Sequence, residues 1–160
     1  MAIYDGPILD YPIEILRGWP NDGAMDLSET ISSAATGASG LAAGNIVTVA
    51  ANGTVQLCFT PQAPMGLCVR GNNDNGSSVT SAVVGELPGV YGDQAVVIWG
   101  NCAFRTTVYN TASSFAPGTA VTGINGLIDV ATGTQPIFGY VKSVYPASGT
   151  MPASLVIIMK

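Results

Sequence analysis

The 160-residue sequence predicts an all-β protein, a barrel-like body preceded by an extended N-terminal arm, and three observations carry that expectation. From Gly44 onward, short apolar runs alternate with turn residues at the rhythm of a sandwich or barrel, about 8–12 positions per strand. Asn-Gly pairs at 52–53, 75–76 and 125–126 signal tight hairpins, because both residues tolerate positive φ. No long stretch sustains the 3.6-residue period of an amphipathic helix.

Residues 1–43 read as the arm and a linker. Pro7, Pro12 and Pro20 remove backbone donors and push the residues before them toward extended conformations. The same stretch is rich in Ile, Leu, Tyr and Trp, which a free tail would not be. Such a segment docks its apolar side chains, either on a neighbouring molecule or on its own body. The candidate interface residues are Tyr4, Ile8, Leu9, Tyr11, Ile13, Ile15, Leu16 and Trp19. Trp19 is the strongest anchor among them, since Trp is enriched at interface hot spots. Residues 30–43 are small and polar, and mark the boundary with the body.

The body, 44–160, holds candidate strands at 46–50, 54–59, 66–70, 78–84, 95–99, 103–109, 119–121, 127–130, 139–144 and 155–159. Gly66 and Gly139 interrupt apolar runs and are expected at tight bends of the barrel. A weak repeat also runs through the body. Gly44-Asn45-Ile46-Val47-Thr48-Val49, Asn52-Gly53 and Met65-Gly66-Leu67 correspond to Gly118-Thr119-Ala120-Val121-Thr122, Asn125-Gly126 and Phe138-Gly139-Tyr140. The Asn-Gly pairs and the later triplets share an offset of 73 residues, which suggests two related strand–hairpin–strand units.

Composition narrows the function. Charged residues make up 9% of the chain against about 25% in an average domain. The exterior is therefore either polar and uncharged or covered by partners, since charge is depleted in interface cores. Residues 1–29 hold six acids (Asp5, Asp10, Glu14, Asp22, Asp26, Glu29) against Arg17, so the whole net charge of −5 sits at one end. Five basic residues leave no footprint for phosphates, and nucleic-acid binding is not expected. Apolar runs such as 155–159 fall far short of the roughly 18 residues that span a bilayer, so no membrane partner is expected. The N-terminus lacks the basic and apolar regions of a signal peptide, which points to use without secretion. Cys58, Cys68 and Cys102 lie in or beside apolar runs and read as reduced core residues.

The chemistry of catalysis is poorly represented. Histidine is absent, which removes the commonest general base and the usual metal ligand. The Cys58, Cys68 and Cys102 spacing matches no zinc finger or ribbon, so no metal is expected. Gly37, Gly40 and Gly44 lack the Lys-Ser/Thr of a phosphate loop. The body's acids, Asp74, Glu86, Asp93 and Asp129, are few, and the first three stand in turn-forming sequence. Neither an enzyme nor a cofactor is expected. Trp99 ends the run Val96-Val97-Ile98 and reads as a core residue.

The rhythm of Gly44-Asn45-Ile46-Val47-Thr48-Val49, Gly66-Leu67-Cys68-Val69-Arg70-Gly71, Val96-Val97-Ile98-Trp99-Gly100, Ala116-Pro117-Gly118-Thr119-Ala120-Val121, Asn125-Gly126-Leu127-Ile128-Asp129-Val130 and Phe138-Gly139-Tyr140-Val141 resembles that of small capsid decoration (cement) proteins of tailed bacteriophages. The likeness spans most of residues 44–144 as a pattern. It implies a β-barrel or β-tulip body, a homo-oligomer with a trimer ahead of a dimer, and the major capsid protein as partner. It also implies a place on the capsid exterior of the virion, reached after synthesis in the host cytoplasm. No catalytic residues carry over. An alternative expectation is a carbohydrate- or receptor-binding module of a phage fibre or head appendage, which calls for exposed aromatic side chains in the body.

Overall fold

Residues 13–17, 25–30, 41–51, 53–59, 62–72 and 94–160 are described by the computed structural model, and every regular element among them is a β-strand. The strands are β1 Ile13–Arg17, β2 Met25–Thr30, β3 Ile46–Val49, β4 Val55–Leu57, β5 Gly66–Asn72, β6 Gln94–Ile98, β7 Ala103–Thr106, β8 Ala120–Ile124, β9 Leu127–Val130, β10 Gly139–Tyr145 and β11 Ser154–Met159. The strand expected over 78–84 lies outside the described residues. Two antiparallel sheets form, ordered β1-β7-β11-β10-β8-β9 and β2-β6-β5-β3-β4. Among the described residues no ladder closes either sheet into a barrel.

Part of the expected arm belongs to these sheets. β1 pairs with β7 (Ile13 opposite Thr106, Ile15 opposite Phe104), and β2 pairs with β6 (Met25 opposite Ile98, Thr30 opposite Gln94). Position 43 is thus not where sheet structure begins. The three prolines frame β1 without entering it, so its backbone keeps the donors that a ladder needs.

The repeat read in the sequence is a repeat of structure. Taking β2–β6 as a first unit and β7–β11 as a second, strand order is the same in both: β2-β6-β5-β3-β4 and β7-β11-β10-β8-β9. Backbone bonds match position by position. The Gly44 N–H donates to Cys68 O at 2.8 Å, and the Gly118 N–H to Val141 O at 2.8 Å. The Met65 N–H donates to Val47 O at 2.9 Å, and the Phe138 N–H to Val121 O at 2.7 Å. The Phe59 N–H reaches Gln62 Oε1 at 3.1 Å, and the Thr132 N–H reaches Gln135 Oε1 at 2.8 Å. Even the irregularities coincide, with register shifts at Cys68/Arg70 and Val141/Ser143. The units differ by one residue at the hairpin. Ile124 pairs directly with Leu127 across Asn125 (φ 52°) and Gly126 (φ 76°), a two-residue turn with both central residues left-handed. The β3–β4 loop is longer: the Ala50 N–H donates to Thr54 O at 2.7 Å and the Gly53 N–H to Ala50 O at 2.9 Å.

Gly66 and Gly139 occupy matching places in the two units, but they do not make bends. Both lie within paired strands, Gly66 opposite Val47 and Gly139 opposite Val121. They permit close approach instead. A Cβ on Gly66 would stand 2.7 Å from the Trp99 ring, and one on Gly139 would collide with the Ile158 carbonyl.

The units stack front to back. A core cluster combines Val121, Ile128, Val141, Ile157 and Met159 of the second unit with Ile46, Cys58, Leu67 and Ile98 of the first. In the first unit, the counterparts of that second-unit set are Val47, Val55, Cys68, Val97 and Trp99, and they pack with Leu41 on the opposite face of their own sheet. Unlike faces therefore meet. Phe104 fills the middle of the shared core, edge-on to Phe138 at 6.4 Å between centroids.

The β8–β9 hairpin meets the first unit through backbone hydrogen bonds. The Ile46 N–H donates to Gly126 O at 2.8 Å, and the Gly126 N–H donates to Cys58 O at 3.0 Å. A Cβ on Gly123 would sit 2.6 Å from Ile46 Cγ2 and 3.1 Å from Cys58 Cβ. Gly123→Ala is expected to overpack this seam and lower unfolding stability by about 1–3 kcal/mol, read from urea denaturation.

Candidate protein-binding surface

Of the predicted interface residues, Tyr4, Ile8, Leu9, Tyr11 and Trp19 lie outside the described residues. Ile13 is placed, and it is not available to a partner: at 5% exposure it is part of the core shared by both units. Its side chain also approaches Gly44, within 3.2 Å of where a Cβ would stand. The apolar character that marks Ile13 as an anchor thus serves the chain's own interior. Ile15 and Leu16 are in β1, with Ile15 opposite Phe104 of β7 and Leu16 at the register shift before Arg17.

A different surface carries exposed apolar side chains. Tyr140 of β10 and Ile158 of β11 are cross-strand partners, and they are 42% and 48% exposed. Ala120 of β8 stands opposite Tyr140 on the other side, so three strands present one continuous face. Further along, Tyr145 is also exposed, and the Arg105 guanidinium lies 4.8 Å over its ring. Arg105 Nε donates to Ser154 Oγ at 2.8 Å, which holds the guanidinium in place. Strand parity in Gly139-Tyr140-Val141-Lys142 puts Tyr140 with Lys142 and against Val141, so Tyr140 is readable as outward-facing. Ile158 is not, because the run Leu155-Val156-Ile157-Ile158-Met159 has no alternation.

Among the described residues, Asp129 and the cysteines are engaged by the fold around them. Asp129 accepts hydrogen bonds from Asn110 Nδ2 at 2.7 Å, Ser113 Oγ at 2.5 Å and its neighbour's Val130 N–H at 2.7 Å. Partial burial raises its pKa, but these three donors outweigh that and hold the carboxyl below its ordinary value of 3.8. The bonds tie the 108–113 segment to the edge strand β9, where the Asn110 N–H also donates to Ile128 O at 2.9 Å. None of the three cysteines forms a disulfide. Burial pushes the Cys58 and Cys102 thiols up to about 11, and the Cys58 thiol donates to Gly123 O at 3.4 Å. Among the described residues, no three Cys, Asp or Glu side chains gather as metal ligands.

No protein-family model matches the chain, and no curated protein matches it in sequence.

Two outcomes are expected. A carboxylate whose folded pKa is depressed contributes stability above its unfolded pKa and loses it as pH falls through the folded one. Asp129→Asn should therefore lower the urea midpoint at neutral pH, with the gap to wild type closing as pH drops below about 3.8. Ellman's reagent at about pH 8 should titrate none of the three thiols in the native protein and all three after denaturation.

Proposed function

We propose that this protein is a non-enzymatic structural component of a virion, binding the outside of a capsid shell and stabilising it through repeated weak contacts. One observation carries the proposal: six acids and one Arg stand among the apolar and proline residues of 1–29, ahead of a body whose charges cancel. An acidic, apolar leading segment suits a basic surface on the major capsid protein, where charge selects the partner and apolar burial supplies affinity. Weak contacts repeated around a homo-oligomer sum to high avidity. The low charged fraction fits a molecule whose exterior is partly covered in its working state.

β1 and β2 are strands of the body, so the clamp is assigned to residues 1–12, which hold two of the six acids, Asp5 and Asp10, and no basic residue. Removing those residues leaves every described strand intact. The truncated chain should keep the circular dichroism of the full chain and lose co-sedimentation with purified shells of its partner capsid protein. Undiminished co-sedimentation would overturn the clamp. Binding by the full chain should also weaken as salt rises, since exposed charges are screened within about 10 Å at 0.1 M.

A second reading, a glycan- or receptor-binding module, gains support from the exposure of Tyr140 and Tyr145 in the body. It requires saturable glycan binding that is lost in Tyr145→Ala, measured by calorimetry.

A further inference from the structure

Charge in this chain is divided between its two ends. Residues 1–102 hold nine acids against Arg17 and Arg70, whereas residues 103–160 hold Arg105, Lys142 and Lys160 against Asp129 alone. The leading segment and the first unit are therefore negative together, and the second unit is positive. The Asp129 carboxylate is already engaged by Asn110, Ser113 and the Val130 N–H. Glu14 of β1 stands opposite Arg105 and offsets that charge at the sheet edge. Lys142 and Lys160 remain, and both are exposed.

Both lysines flank the apolar face turned away from the first unit. On β10, Lys142 shares strand parity with exposed Tyr140, and Val141 between them is buried. On β11, Lys160 follows exposed Ile158 by two residues, with buried Met159 between them. Tyr140 and Ile158 are cross-strand partners, so two cations and two apolar side chains share one surface. Residues 1–12 carry the complement: Asp5 and Asp10, no basic residue, and Tyr4, Ile8, Leu9 and Tyr11. They also end beside this face. Ile13 pairs with Thr106 and Thr106 with Leu155, so Ile158 lies two strands across and three residues along, about 14 Å away. A flexible segment of twelve residues spans roughly 19 Å. A tether of that reach holds its own segment at an effective concentration on the order of millimolar, which a second copy would have to exceed.

We propose that residues 1–12 fold back across the β10–β11 face of their own second unit, their apolar side chains on Tyr140 and Ile158 and their acids beside Lys142 and Lys160. Charge selects the surface and apolar burial supplies the affinity. The contact closes within one molecule, so it is independent of protein concentration, and it weakens as salt screens the exposed charges. It stands without the capsid reading, and only its consequence rests on that reading. A segment docked here must leave before it can reach a shell, so the face holds the clamp back until a shell competes for it.

A nitroxide attached at Ala2→Cys tests the contact in the full chain, because Cys58, Cys68 and Cys102 are buried and leave the introduced thiol as the reactive one. In NMR spectra at low salt, the label should broaden the Ile158 methyl signals and the Tyr140 and Lys142 amide signals, and spare Val47 and Val55 of the first unit. Adding Asp5→Lys and Asp10→Lys to the labelled chain should restore the broadened signals. Salt at about 1 M, where screening acts within about 3 Å, should restore them too. Absence of broadening would overturn the proposal, and so would broadening that survives the charge reversal, which is what a loose tether gives. When the labelled chain is mixed with an isotope-enriched chain that carries no label, the signals of the second chain should stay sharp. Broadening there would make a second copy the occupant and overturn the contact within one molecule. No shell is present in this measurement, so its outcome is separate from that of co-sedimentation.

Discussion

The seating of the β8–β9 hairpin on the first unit is the contact on which the rest of the structure depends. Two backbone hydrogen bonds to Gly126, and the absence of a side chain at Gly123, let the second unit lie flat on Ile46 and Cys58. Without that approach, Ile46, Leu67 and Ile98 would face water, and burying side chains of this size is worth roughly 1.5–3 kcal/mol each. A small residue at one position thus decides whether two sheets share a core or expose two half-cores.

Front-to-back stacking of a duplicated unit has a geometric consequence that two-fold packing would not. In a two-fold arrangement both copies would bury the same face. Here the second unit's Tyr140 and Ile158 remain at the surface, while the equivalent Leu67 and Ile98 are interior. Side-chain choice is consistent with this difference. Tyr carries a hydroxyl that tolerates solvent, and Ala120 stands where the first unit has Ile46.

The leading segment joins the body at β1. Ile13 is pinned into the shared core and β1 extends the second unit's sheet beside β7, so the chain crosses from one sheet to the other before β2 opens the first unit. Residues 1–12 are joined to the body through a strand that is itself buried at Ile13. Force applied ahead of β1 would be passed to the core through the β1–β7 ladder of backbone hydrogen bonds.

Much of this is legible in the amino-acid sequence, and for local reasons. The all-β class follows from short apolar runs and Asn-Gly turns, and the 73-residue offset of those turns already holds the duplication. Backbone preferences and strand parity are properties of neighbouring residues, so they survive in sequence. What only the tertiary structure decides is which apolar residues face which partner. Ile13 and Ile158 look alike in composition, one in a proline-framed segment and one in a continuous hydrophobic run, yet the first is interior and the second is half exposed. Gly66 and Gly139 are visible as interruptions, but whether a glycine turns the chain or admits a neighbour depends on what approaches it from elsewhere. Burial is set by contacts between residues far apart in sequence, and no local pattern records on which unit a given face will rest.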